Sequence, residues 1–115
     1  MTDKLWVDDL RDPKVHVSGD WHWAKNSEEA FQELKTNKYS VVSLDNDLGE
    51  ETEGVHIFDW IEERLYWKDI DLSNLKTIYV HSSNIQAVRR ILGAKTIMRD
   101  KYGINLAVIK SSSVL

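Results

Sequence analysis

With 115 residues and a mass of 13.4 kDa, the chain is long enough for one domain and too short for two of ordinary size. Its composition, 42% hydrophobic and 30% charged with five glycines and one proline, predicts a globular fold and excludes disordered, collagen-like or low-complexity chains. A formal net charge of −4 argues against a broad duplex-DNA groove, although a few local cations suffice for a small anion site. The absence of cysteine excludes disulfides and thiolate zinc sites.

The beginning of the chain and its hydropathy argue against export and against a membrane partner. Acidic residues stand where a signal peptide needs an apolar core, and no run approaches the roughly 18 apolar residues of a membrane span. We therefore expect a soluble, cytoplasmic protein with a single domain over residues 1–115.

Short apolar runs alternate with helical patterns along the chain. Strands are predicted at residues 4–7, 41–44, 77–80 and 106–109, with a weaker one at 21–24. Helices are predicted from the N-cap Ser27 through the apolar stripe Ala30, Phe31 and Leu34, over residues 54–67, and over residues 84–102 with a weak point at Gly93. This alternation predicts βα units around a parallel sheet of about five strands, in the α/β class.

The strands place different residues on their two faces. One set of alternate positions is aliphatic throughout and consists of Leu5, Val7, Val42, Leu44, Ile78 and Val80. The other set mixes polar and apolar residues, and we call its side of the sheet the mixed face. The next position of this set beyond each strand is Asp8, Asp45 or His81. Because open α/β sheets bind ligands at the carboxyl ends of their strands, these three polar residues predict a site at that edge.

The mixed face is too apolar to be left wholly in water, since it carries Trp6, Val41 and Tyr79. We expect the segment 15–23 to fold over it with Trp21 and Trp23. A homodimer or a protein partner that uses the same face is the alternative. Core or sheet-covering positions are typical of such tryptophans, and nucleobase stacking by Trp21 or Trp23 is the lesser alternative.

Two acidic groups follow the first two confident strands. Asp8 and Asp9 suit a hard divalent cation, with Arg11 as counter-charge or phosphate ligand, although a solvated turn is an equally good interpretation of this pair alone. Asp45 and Asp47 alternate like ligands of one cation. Because both groups reach the same sheet edge, where carboxylates repel unless neutralised, we predict a Mg²⁺ or Mn²⁺ site.

The remaining strand ends supply candidates for proton transfer and phosphate binding. His81 is the one histidine at a strand end and is a candidate general acid or base. Ser82, Ser83 and Asn84 open a helix whose N-terminus is suited to anions, unless they merely cap it. Lys110, after the last strand, is either a phosphate ligand or a solvated lysine.

The order of these motifs resembles the response-regulator receiver domain. The segments WVDDLRDP at 6–13, SLDNDLG at 43–49 and HSSN at 81–84 are more similar to a divergent branch, the cyclic-phosphate-processing receiver-like domains. This resemblance implies a flavodoxin-like sheet and a role on cyclic phosphates of nucleotides or RNA ends, in an RNA or tRNA repair context that includes bacteriophages. The residues that it carries over are Asp8, Asp9, Arg11, Asp45, Asp47, His81, Ser82 and Asn84.

The chain departs from this pattern in two places. Asn46 stands where the family often has histidine, which removes one possible proton-transfer group. The segment 11–21 is short for the receiver's first helix, and the chain ends before a fifth helix. We therefore expect a reduced receiver-like fold with its first and last helices short or missing.

These observations favour a metal-assisted phosphoesterase that acts on cyclic phosphates, in host cytoplasm if the source is a bacteriophage. The main alternative is a signalling receiver that is phosphorylated on Asp45. A dehalogenase-type phosphatase is a further alternative, because Asp45 and Asp47 mimic its motif, but that class has the opposite order of acidic groups. A non-catalytic module that binds nucleotides or a protein partner also remains open.

Overall fold

The computed structural model describes residues 3–9, 12–16, 19–45, 54–81 and 85–108. The elements in chain order are β1 (Lys4–Val7), α1 (Pro13–His16), β2 (His22–Ala24), α2 (Ser27–Leu34), β3 (Val41–Asp45), α3 (Gly54–Trp67), β4 (Thr77–His81), α4 (Ile85–Leu92), α5 (Lys95–Tyr102) and β5 (Asn105–Val108). Within these ranges, no helix is long and apolar enough to cross a bilayer.

The five strands form one parallel sheet in the order β2-β1-β3-β4-β5. This is the flavodoxin-like order, so the predicted fold class is confirmed. The strand order reverses between β1 and β3, and ligands of such sheets bind where the reversal opens a crevice. The fold therefore draws attention to the residues that follow these two strands.

The predicted strands agree with the sheet to within a residue or two at their ends. β3 and β4 each extend one residue beyond the prediction, to Asp45 and His81. The weak strand near Trp21 is real and runs from His22 to Ala24 at the edge of the sheet. Since Asp45 and His81 are Cα partners in the ladder, two candidate site residues lie on neighbouring strands.

The aliphatic face forms the main core, as its alternation predicts. The six aliphatic strand residues predicted for this face are all completely buried. The helices cover them with the buried side chains Ala30, Leu34, Ile57, Ile61, Ile91 and Met98. Burial of a whole aliphatic side chain contributes roughly 1.5–3 kcal/mol, so this face stabilises the sheet.

The N-cap predicted at Ser27 is wrong by one residue. Asn26 has the extended backbone of a cap (φ −152°, ψ 172°), and its side chain accepts a hydrogen bond from Glu29 N at 2.9 Å. Glu29 in turn accepts one from Lys25 N at 2.7 Å. Asparagine and serine cap helices equally well, and Ser27 instead lies buried in the first turn.

The single helix predicted over residues 84–102 is also wrong, because the described part of that span contains two helices. Gly93 N and Ala94 N donate to Arg89 O and Ile91 O and so end α4, and α5 begins at Lys95. Glycine weakens a helix interior, and the break falls at this residue. The break lets Met98 of α5 lie fully buried in the core.

The mixed face is covered locally where β1 meets β2. Trp6 and Trp21 are buried there in an edge-to-face pair, with ring centroids 5.9 Å apart and planes at 80°. Trp23, Val41 and Tyr79 pack around that pair. Trp21, in the predicted covering segment, thus packs on Trp6 as expected, whereas Val41 and Tyr79 stay half-buried and a homodimer or partner on this face stays a prediction. Helix α1 spans four described residues, and a last helix would fall in residues 109–115, outside the described residues.

We expect the protein to be a monomer in sedimentation velocity, and Tyr79→Lys to lower its free energy of unfolding by roughly 1–3 kcal/mol. The reason is that Tyr79 packs beside the tryptophan pair, where a lysine loses apolar contact. The matched control is Tyr66→Lys, because Tyr66 is 59% exposed on α3, and we expect a change of at most about 0.5 kcal/mol. A wild-type dimer that Tyr79→Lys splits into folded monomers would contradict local covering.

Candidate functional site

Three carboxylates meet at the carboxyl edge of the sheet. Asp8 and Asp9 follow β1, and Asp45 ends the neighbouring strand β3. One carboxylate oxygen from each lies within 4.8 Å of the others. Asp8 and Asp45 are only 1% and 6% exposed, and Asp9 is half-buried. The cluster therefore lies at the point where the strand order reverses, and two of its three members are withdrawn from water.

The strand register explains this convergence. Val7 pairs with Leu44, so the next residues, Asp8 and Asp45, emerge side by side from neighbouring strands. Both belong to the mixed set of alternate positions, and they therefore point to the same face. A hydrogen bond from Asp8 N to Ala24 O, 3.1 Å long, continues the ladder between β1 and β2 and fixes the backbone of Asp8.

The backbone of His81 lies next to this cluster, because His81 is the β4 partner of Asp45. Neighbouring strands lie about 4.8 Å apart, so this placement agrees with the predicted role of His81 without testing it. Arg11, Asp47, Ser82, Ser83, Asn84 and Lys110 lie outside the described residues, and their roles stay predictions. Helix α4 begins at Ile85.

Trp23 is a neighbour of the site, although the sequence favoured sheet covering for it, with nucleobase stacking as the lesser alternative. Its Nε1 donates a hydrogen bond of 2.7 Å to the carbonyl oxygen of Asp8. Trp23 pairs with Trp6 in the β1–β2 register, two residues before the acidic pair begins. The weak strand prediction at 21–24 was the available signal, since a parallel strand there places Trp23 beside the end of β1.

The donor set is chemically suited to a hard divalent cation. Mg²⁺ and Mn²⁺ prefer oxygen ligands, and Mg²⁺ usually keeps several waters beside one or two carboxylates. Three carboxylates at this separation also repel one another unless cations or protons neutralise them. The residues that could hold a cation are therefore Asp8, Asp9 and Asp45, with Asp47 as a predicted fourth.

The family model of the cyclic-phosphate processing receiver domain matches residues 3–96 of the sequence. The matched span runs from the residue before β1 to the second residue of α5, and it includes all three carboxylates. The chain belongs to this family. Lys110 and β5 lie beyond the match. Neither a search of curated proteins nor a search of solved structures found a match.

We expect Mg²⁺ or Mn²⁺ to raise the melting temperature of the wild-type protein relative to EDTA, because a cation bound by the folded state alone stabilises it. At a concentration about tenfold above the dissociation constant the gain is about 1.4 kcal/mol, or roughly 4–8 °C. Asp45→Asn should lose this response. Asp69→Asn, which changes an acid paired with Arg64 outside the cluster, should keep it. Equal melting of the wild type in EDTA and Mg²⁺ would contradict a metal site.

Proposed function

We propose that this receiver-like domain is a metal-assisted phosphoesterase that opens cyclic phosphates on nucleotides or RNA ends. The observation that carries the proposal is the cluster of Asp8, Asp9 and Asp45 where the strand order reverses, in a chain of the cyclic-phosphate processing family. Family membership supports the class of substrate. The buried carboxylates support phosphate chemistry at this edge of the sheet, because a cation bound there would attract a phosphate.

The reaction is the addition of water to the phosphorus of a cyclic phosphodiester. One P–O bond to the ribose breaks, and the released ribose oxygen takes up a proton. A Mg²⁺ or Mn²⁺ ion bound by the three carboxylates would supply Lewis-acid polarisation of the phosphate. His81, whose backbone pairs with Asp45, is the proposed group that exchanges a proton with water or with the leaving hydroxyl.

The other predicted site residues complete the proposal as phosphate ligands. Arg11 offers a fork of N–H donors to phosphate oxygens, and Lys110 offers a point charge. Ser82, Ser83 and Asn84 precede α4, whose first backbone N–H groups favour an anion. We propose an RNA or tRNA repair context for this chemistry, which would make RNA ends with a 2′,3′-cyclic phosphate the substrates to test first.

The decisive experiment incubates the protein with 2′,3′-cyclic nucleotides and with short RNAs that end in a cyclic phosphate, with and without Mg²⁺ or Mn²⁺. We expect ³¹P NMR to show conversion to a phosphomonoester that depends on the metal. Asp45→Asn and His81→Ala should each lower the rate by roughly a hundredfold or more.

Asp59→Asn is the matched control for this assay, because Asp59 pairs with Arg90 on the surface, and its rate should equal that of the wild type. Binding without conversion would favour a non-catalytic nucleotide-binding module. If neither conversion nor binding occurs across the panel, the proposed function is wrong.

A phosphoacceptor switch is the second candidate, and the position of Asp45 favours it. In the receiver domains that the chain resembles, the aspartate that ends this strand accepts a phosphoryl group beside an acidic pair. Under our proposal, acetyl phosphate with Mg²⁺ should leave the intact mass of the protein unchanged. Gain of one phosphoryl group in the wild type, and none in Asp45→Asn, would instead support the switch.

A further inference from the structure

A small cleft opens between the start of α1 and the edge strand β2. Its volume is about 160 Å³, and its lining consists of Asp12, Pro13, Lys14, Gly19, Asp20, Trp21 and Trp23. Trp23 connects this cleft to the carboxylate cluster, because its Nε1 donates to the carbonyl oxygen of Asp8. Trp23 therefore both lines the cleft and contacts the backbone of one residue of the proposed phosphate site.

Both tryptophans of the cleft are held in place from outside it. Trp21 packs edge-to-face on Trp6 and is only 9% exposed. Trp23 is held by its bond to Asp8, and Lys25 Nζ lies 4.6 Å from the centroid of its ring. Lys4 Nζ lies 5.5 Å from the centroid of the buried Trp21 ring, so the half-buried ring of Trp23 is the aromatic surface that the cleft offers to a ligand.

Gly19 and Asp20, shortly before β2, also line the cleft. Gly19 has a φ of +94°, a backbone conformation that residues other than glycine rarely adopt. The carboxylate of Asp12 is oriented by a hydrogen bond of 2.9 Å from Lys14 N. The cleft therefore combines the indole ring of Trp23 with an oriented acceptor on Asp12, and Lys14 also lines it.

The size of the cleft limits what it can bind. Sites for whole drug-sized ligands usually measure roughly 300–1,000 Å³, so about 160 Å³ has room for one planar ring system and not for a whole nucleotide. Aromatic walls with a few polar groups are how proteins bind unpaired nucleobases. A sugar and phosphate attached to such a ring would remain outside, where Trp23 adjoins Asp8.

We propose that this cleft binds the nucleobase of the substrate, by stacking against Trp23, while the cyclic phosphate lies at Asp8, Asp9 and Asp45. The inference rests on the proposed function and narrows its substrate to nucleoside 2′,3′-cyclic phosphates, free or at an RNA 3′ end. In these molecules one ribose carries both the base and the cyclic phosphate, so the two groups can occupy adjoining sites.

The test compares three ligands by titration calorimetry in Mg²⁺, with ³¹P NMR following any hydrolysis in parallel. They are guanosine 2′,3′-cyclic phosphate, 1-O-methylribose 2,3-cyclic phosphate, which has no base, and guanosine. Guanosine is chosen because its base edge donates N–H groups that a carboxylate such as Asp12 accepts. We expect the wild type to bind the cyclic nucleotide about tenfold to a hundredfold more tightly than the base-free compound, as stacking of one base predicts.

A pair of variants isolates the aromatic ring. Trp23→Phe and Trp23→Leu both lose the hydrogen bond to Asp8, and only the phenylalanine keeps a ring on which a base stacks. We expect Trp23→Leu to lose about tenfold or more in affinity for the cyclic nucleotide, and Trp23→Phe to stay within a few-fold of the wild type. Neither variant should alter binding of the base-free compound. Trp67→Leu is the matched control, since Trp67 is 66% exposed at the end of α3, and it should bind as the wild type does.

The outcomes separate this inference from the function on which it rests. Equal wild-type affinity for the nucleotide and the base-free compound would overturn the base cleft and leave the phosphoesterase proposal standing. Failure of both cyclic phosphates to bind would overturn both proposals. If Trp23→Leu does not fold, the wild-type ligand comparison still decides, together with the NMR shift of the Trp23 indole N–H, which guanosine should perturb and the base-free compound should not.

Discussion

The register between β1 and β3 is the constraint on which the site depends. Val7 pairs with Leu44, and this pairing brings Asp8 and Asp45 out on the same face at the same edge. A slip of one residue would send one of the two carboxylates to the opposite face, because side chains alternate along a strand. The fully buried aliphatic face prevents that slip, since it would have to expose residues such as Val42 and Leu44. The core thereby determines the geometry of the acidic cluster.

The two faces of the sheet contribute differently to the protein. The aliphatic face is covered by helices and supplies stability, whereas the mixed face combines the Trp6–Trp21 pair with the residues that lead to the site. Because α1 has only four residues, the covering of this face leaves a cleft beside Trp23. A longer first helix, as in the receiver domains that the chain resembles, would have to run through the same region.

The two candidate functions use the same aspartate in opposite ways. In a receiver switch, an oxygen of Asp45 attacks a phosphoryl group and keeps it. In the proposed phosphoesterase, Asp45 helps to hold a cation, and water attacks the phosphorus of a bound cyclic phosphate. The proposal therefore needs a proton-transfer group and a place for the rest of the substrate. We propose His81, the ladder partner of Asp45, as the proton-transfer group. The cleft beside Trp23 is the proposed place for the base of the substrate.

The sequence by itself determined the strands, the α/β class and the convergence of Asp8, Asp9 and Asp45, because alternation and strand ends are local patterns. It also located α3 correctly, since one apolar stripe runs the full length of that helix. Only the tertiary structure decided that Asn26 caps α2, because its neighbour Ser27 is an equally good cap by type. Packing of Met98 into the core decided the break at Gly93, which propensity alone marks only as a weak point. The contact of Trp23 with Asp8, and the cleft beside it, depend on how residues far apart in the chain meet across the sheet, and no local pattern encodes that.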